Sequence, residues 1–152
     1  MPFLTLTQAK AHCRIDGTDG DSDLTLKIAA AERLALEHLQ CDVYADQPTL
    51  DAAIAAVPAQ LAAAKSAYEA AYTVAVAIAD VDLSLNEQAH AMSVYMRAVY
   101  AATRTRAGIV INDLVIAAML LIVGWLYEQR EDSAEVPRAA QDLLNPFRNY
   151  GA

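Results

Sequence analysis

The sequence predicts an all-α protein: a small helical bundle with a central buried helix, an inserted antiparallel helical hairpin and a C-terminal tail. Three observations carry that prediction. Alanine dominates a composition that is 56% hydrophobic and 20% charged, with five Gly and five Pro in 152 residues. Alanine is the strongest helix former, and so much apolar content excludes a disordered chain. Apolar residues recur at spacings of three and four along most of the chain, the period of an amphipathic helix. Finally, a nearly uncharged run from Leu114 to Tyr127 lies between Asn112-Asp113 and Glu128-Gln129-Arg130. It is shorter than the ~20 residues a membrane span requires, and reads as a helix inside a protein core. The length fits a single domain, residues 1–152.

Thr5-Leu6-Thr7-Gln8 has the form of a capping box and opens a short helix with Leu6, Ala9 and Cys13 on one face. Gly17 is expected to supply its left-handed stop. The acidic stretch Asp16–Asp23 does not fit a calcium loop: counted from Asp19, the sixth position is Leu24 instead of Gly and the twelfth is Ala30 instead of Glu. It reads as a turn in which Asp21 or Ser22 caps a second helix, from about Asp23 to Gln40. Leu24, Ile28, Ala31, Ala35 and Leu39 form its inward stripe. Pro48 is expected to close the loop that follows.

Residues 48–108 form the alanine-rich hairpin. Pro58 marks either the start or a kink of its first helix, whose stripe is Leu61, Ala64, Tyr68, Ala71, Ala75 and Ile78. After a link at Asp80–Leu83, Ser84-Leu85-Asn86-Glu87 reads as a second capping box. The helix it opens carries Leu85, Ala89, Met92, Met96 and Val99 as its inward stripe, with the two methionines as core filler. Arg97, Arg104 and Arg106 suit the negative end of that helix, and Gly108 ends it. Small side chains bury little area, so the hairpin alone is expected to be marginal. Asn112 caps the central helix, which runs to about Glu131 and counts Leu120, Trp125 and Tyr127 among its core residues. Val136-Pro137 opens a short helix through Leu144 with Pro at the first helical position, and Pro146 stops it. Residues 136–152 make up the C-terminal segment.

The chemistry-bearing residues form few recognisable patterns. A net charge of −8 opposes binding by broad phosphate neutralisation. Two cysteines exclude a disulfide scaffold, and Cys13 and Cys41 read as small buried hydrophobes. Met1–Thr5 has neither the basic nor the apolar segment of a leader peptide, which points to the cytoplasm or an assembly made there. Glu87-Gln88-Ala89-His90 is one E-x-x-H unit, whereas di-iron bundles use two. His12 adjoins Cys13, but neighbouring helix residues point apart. Gly-rich phosphate loops are absent. No catalytic, cofactor-binding or metal residues are therefore assigned, and no cofactor is expected. Aromatic residues instead suggest protein contacts: Tyr68, Tyr72, Tyr95 and Tyr100 on the hairpin, and Phe147, Arg148 and Tyr150 in the tail. The alternative for the tail is that it folds back on its own core.

Both ends of the chain resemble phage head–tail connector proteins. Leu4–Asp16 (LTLTQAKAHCRID) is similar to that family's opening, L-T-L-x-E-A-K-x-H-L-R-I-D, with Gln8 in place of the acid and Cys13 in place of Leu. Ile116–Glu131 resembles its A-x-L-L-x-x-x-W-Y-E-N-R-E helix, with Leu126 set between the Trp and the Tyr. Val136-Pro137 and Leu143–Tyr150 resemble its closing V-P … L-L-x-P-Y-R segment. The likeness covers roughly residues 3–41 and 110–150, and 48–108 looks like an insertion.

The resemblance implies a small all-α virion protein without catalysis, made in the host cytoplasm and resident in the neck of the particle. Its copies would form a ring, typically a dodecamer, beneath the portal. The ring would join the portal to a stopper or tail-completion protein and continue the channel for DNA packaging and genome ejection. Double-stranded DNA would pass through the lumen without specific binding, repelled by acidic walls, and no membrane is involved. Pro146, Phe147, Arg148 and Tyr150 would dock on the portal. Two other readings compete: a helical assembly chaperone or other neck or tail interaction protein, and a helical metal-dependent enzyme built on Glu87 and His90.

Overall fold

The computed structural model describes residues 2–128 and 136–151. Among them are six α-helices: α1 (Leu6–Cys13), α2 (Asp21–Leu39), α3 (Gln47–Val76), α4 (Val81–Arg106), α5 (Asp113–Glu128) and α6 (Arg138–Leu144). A 3-10 turn, Asn145–Phe147, follows α6. Two strands of two residues each, β1 (Val43–Tyr44) and β2 (Ile109–Val110), pair in parallel, with Val43 opposite Ile109 and Tyr44 opposite Val110. The fold is thus the all-α bundle the composition predicts. The strand pair, too short to leave a period in the sequence, was not anticipated.

The body of the molecule is α1, α2, α5 and α6. Helix α5 packs against the other three. Val115, Ala118, Met119, Ile122 and Val123 are fully buried there, joined by Leu24, Ile28, Ala31, Ala35 and Leu39 of α2 and by Leu4, Ala9, Ala140 and Leu144. The α2 stripe therefore lies inward as its spacing predicts. Helix α5 is the centre of the core, but its burial is one-sided. Leu120 and Trp125 are only half-buried at the edge of the core, and Tyr127, expected within it, is 42% exposed. It sits in the last turn of α5, one residue before Glu128. The expected helix end near Glu131 lies outside the described residues.

Helix α1 starts with the predicted capping box: Thr5 Oγ1 accepts from the Gln8 N–H, and the Gln8 side chain accepts from the Thr5 N–H. Its left-handed stop is Arg14 (φ 55°), not Gly17, which takes its own positive φ of 96° in the loop beyond. Lys10 bridges that loop, donating to the Gly17 carbonyl (2.7 Å) and pairing with Asp21. Asp21 is thereby the first residue of α2 instead of its cap; Gly20 takes the cap position without a side-chain bond. Asn112 caps α5 as predicted, accepting from the N–H groups of Leu114 and Val115 at 3.1 Å. Pro137 stands at the N-cap of α6, one position earlier than expected.

The hairpin is two long helices, α3 and α4, packed on each other. Its buried residues, Leu50, Val57, Ala75, Ser84, Ala91 and Ala102, fall outside the main core. Pro48 opens α3 instead of closing the loop: Asp46 is the cap, accepting from the Thr49 N–H at 2.8 Å, and Pro48 sits in the first turn where its missing N–H costs nothing. Helix α3 runs on through Pro58, so that proline is not its start. Helix α4 begins at Val81 with Asp80 as cap, accepting from the Leu83 N–H at 2.9 Å. The second capping box is not used. Ser84 is buried inside the first turns and accepts from Gln88, and Glu87 is an ordinary helical residue.

Candidate interaction surfaces

The inward face of α4 differs from the one the spacing suggested. Ser84, Ala91 and Ala102 face α3, with Tyr95 half-buried beside Tyr68. Leu85, Met92 and Met96 are 58%, 43% and 52% exposed, so the methionines are not core filler. The reason is spatial. Two alanine-rich helices approach closely through their small residues, and bulky side chains are displaced to the flanks.

The two flanks of the hairpin differ in shape. On one, a groove of about 340 Å³ is lined mostly by small side chains, among them Ala64, Ala67, Ala71, Ala91 and Ala98, with Tyr68, Tyr95, Val94, Glu87 and His90 also in its wall. It continues past Ala71 into a second hollow of about 400 Å³ bounded by Val74, Ile78 and Leu83. On the other flank stand Leu85, Met92 and Met96. Successive helical residues turn by about 100°, which puts these three on the side of α4 away from Glu87, His90 and Val94.

A compact polar junction ties the hairpin to the body. Arg104 Nη2 donates to the carbonyls of Leu36 (3.1 Å) and Cys41 (3.2 Å), which close the end of α2, and its Nε donates to Asp42 (3.4 Å). Thr105 Oγ1 donates to the other Asp42 oxygen at 2.9 Å. Burial opposes the Arg104 charge, but hydrogen bonding with Tyr100 and Asp42 and the Asp42 carboxylate's field outweigh it and hold the guanidinium above its ordinary pKa. Tyr100 donates to the Gln40 side chain across the same junction. The strand pair lies alongside, and Gly108 is wedged within it: a Cβ there would come 2.8 Å from the Thr105 carbonyl oxygen and 2.9 Å from Leu50 and Tyr44 side chains. Arg104, expected only to offset the helix end, is the centre of this junction, and the sequence carried no signal for its partner Asp42.

The C-terminal segment lies on the body. His38 Nε2 and Asn145 Oδ1 are 2.9 Å apart, and the Asn149 N–H donates to the Leu39 carbonyl at 2.8 Å. Phe147 turns inward and packs against the core, whereas Pro146, Arg148 and Tyr150 point outward. Tyr150 is 75% exposed, with the Arg148 guanidinium 5.4 Å from its ring centroid. The tail therefore folds back on the body through Phe147 and leaves Pro146, Arg148 and Tyr150 exposed to solvent.

The remaining chemistry-bearing groups are dispersed. Cys13, His12, Tyr127 and Glu128 border a shallow hollow, where burial and then the Glu128 carboxylate push the Cys13 thiol up, away from the reactive thiolate. Burial likewise raises the Cys41 thiol, against the lowering effect of Arg104. Both cysteines are free. Among the described residues, no three His, Cys, Asp or Glu side chains converge as for a metal ion, and no helix is long and apolar enough to cross a membrane.

Fold and surface together describe a small all-α protein whose most distinctive exposed features are apolar and aromatic. The chain belongs to the phage gp6-like head-tail connector protein family, whose match spans residues 3–101. That span takes in α1, α2, all of α3 and most of α4. It is therefore a structural component of the phage particle at the junction of head and tail. No curated protein and no solved structure matches the chain.

Proposed function

We propose that this chain is a head–tail adaptor whose copies, twelve in the particle, form a ring beneath the portal, connect it to the stopper or tail-completion protein and continue the DNA channel. The observation that carries this reading is the family match over residues 3–101. In this reading the C-terminal segment docks on the portal through Pro146, Arg148 and Tyr150, while Phe147 anchors the segment to its own subunit. An aromatic ring and a stacked guanidinium, exposed together, are the side-chain types that dominate protein–protein binding energy. The channel carries DNA without gripping it, consistent with a net charge of −8. The hairpin enlarges the ring beyond the body helices.

The test is co-expression with the portal, followed by mass measurement and negative-stain imaging. A ring that co-purifies with portal is expected. Arg148→Ala/Tyr150→Ala should weaken co-purification at least tenfold with helix content unchanged. Unaltered binding by that variant would remove the docking assignment, and absence of the chain from purified virions would favour an assembly chaperone instead.

A further inference from the structure

We propose that the two flanks of the hairpin are the two halves of one contact between copies of this chain: the Leu85–Met92–Met96 ridge of one subunit seats in the alanine-lined groove of the next. The inference rests on the reading that the chain works as an assembly of copies, and names the surface that joins them.

The dimensions agree. At 1.5 Å per residue, the ridge from Leu85 to Met96 is about 16 Å long, and the groove from Ala64 to Ile78 is about 21 Å. Bulky, flexible side chains fill hollows between small ones, the basis of ridge-into-groove helix packing. The area is sufficient. Leu85, Met92 and Met96, with Val76 and Val81 on the same flank, are all exposed large hydrophobics. Together they leave roughly 400 Å² of apolar surface open, as much as the largest patch on an ordinary monomer. Covering both flanks would remove on the order of 1,000 Å², where specific protein interfaces begin.

Charge narrows the occupant further. Copies of a chain of net charge −8 repel each other. On the α4 half of the ridge flank no ionisable side chain accompanies Leu85, Met92 and Met96; on the α3 half Lys65 and Glu69 pair with each other (3.8 Å), so this flank carries no net charge, and Glu87 and His90 lie in the groove. Repulsion between copies is therefore least here. Ridge and groove lie on opposite sides of one element, so the contact is heterologous: each subunit offers one half to each neighbour, and the series closes when the rotation per subunit divides a full turn.

Sedimentation velocity across a concentration series tests the proposal, with circular dichroism as the control for folding. The full chain should self-associate. A ridge variant, Leu85→Lys/Met92→Lys/Met96→Lys, and a groove variant, Ala67→Arg/Ala71→Arg, should each associate at least tenfold more weakly. The substituted positions are exposed, and Met92→Gln/Met96→Gln is a milder ridge variant should the triple one lose helix content. An equimolar mixture of ridge and groove variants should stop at a 1:1 heterodimer, because each retains one intact half. A full chain that stays monomeric, variants that associate like the parent, or a mixture that remains monomeric or grows past the dimer would overturn the proposal. Portal co-purification is scored separately: self-association through the hairpin without portal binding removes only the portal reading.

Discussion

At the scale of single residues, the junction between hairpin and body is the most demanding place in the molecule. Gly108 is needed there for space, since a methyl group would meet a backbone oxygen and two side chains within 3 Å. Gly108→Ala should cost about 1–3 kcal/mol in denaturant melts, the usual penalty of overpacking. Arg104 holds two carbonyls and one carboxylate, so Arg104→Ala should cost about 1.5–3 kcal/mol, as for other charged hydrogen bonds in partly buried sites. Asp46 responds to pH. Hydrogen bonding to Thr49, through its side chain and then its backbone N–H, holds the Asp46 carboxyl below its usual 3.8. A carboxyl depressed in the folded state adds stability that is fully present above the unfolded value and disappears as pH falls through the folded one. The N-terminal end of α3 should therefore fray below about pH 4, and Asp46→Asn should flatten that acid limb, as followed by helix signal against pH.

At the scale of elements, periodicity and propensity divide the work. The α2 stripe and the Asn112 cap of α5 are as their spacing predicts, because a bulky apolar partner waits on one side. The α4 stripe fails for the opposite reason. Its bulky residues recur at three and four, but the facing helix offers alanines, and the closer approach is through Ser84, Ala91 and Ala102. The cap at Asp80 was missed because Ser84-Leu85-Asn86-Glu87 satisfies the same rule four residues later, and local rules cannot rank two valid starts. Pro58 lies on an exposed side inside α3, where it withholds an N–H from the ladder. Proline in a helix interior costs about 3 kcal/mol relative to alanine, so Pro58→Ala should raise the melting temperature of the hairpin; a fall would mean that its rigid ring serves the packing against α4.

At the scale of the whole molecule, the body and hairpin differ in how they are held. The body packs the side chains of three other helices against one face of α5, while the hairpin buries mostly small side chains and joins the body at one end. Hydrogen exchange should follow that division. Amides of α5 around Met119 and Ile122 should exchange last, and those of the distal hairpin, near Ala75 and Ser84, earlier; equal protection would show a single cooperative unit. Assembly should also respond to salt. With apolar flanks in contact and a net charge of −8 on each copy, added salt should strengthen self-association by screening repulsion. Weakening would point to ion pairs at the interface.

By itself the sequence determined the helical class, the inward stripe of α2, the caps at Thr5 and Asn112, the central place of α5 and the resemblance to phage connectors. Those features rest on local spacing, on capping chemistry and on runs of side chains too apolar to face water. Only the tertiary structure decided which face of α4 turns inward, that Phe147 packs on the core while Tyr150 does not, that Tyr127 stands clear of the core, and that Asp42 meets Arg104 across 62 positions of chain. Each depends on the shape and distance of a partner brought near by folding, and no pattern within a single segment encodes that.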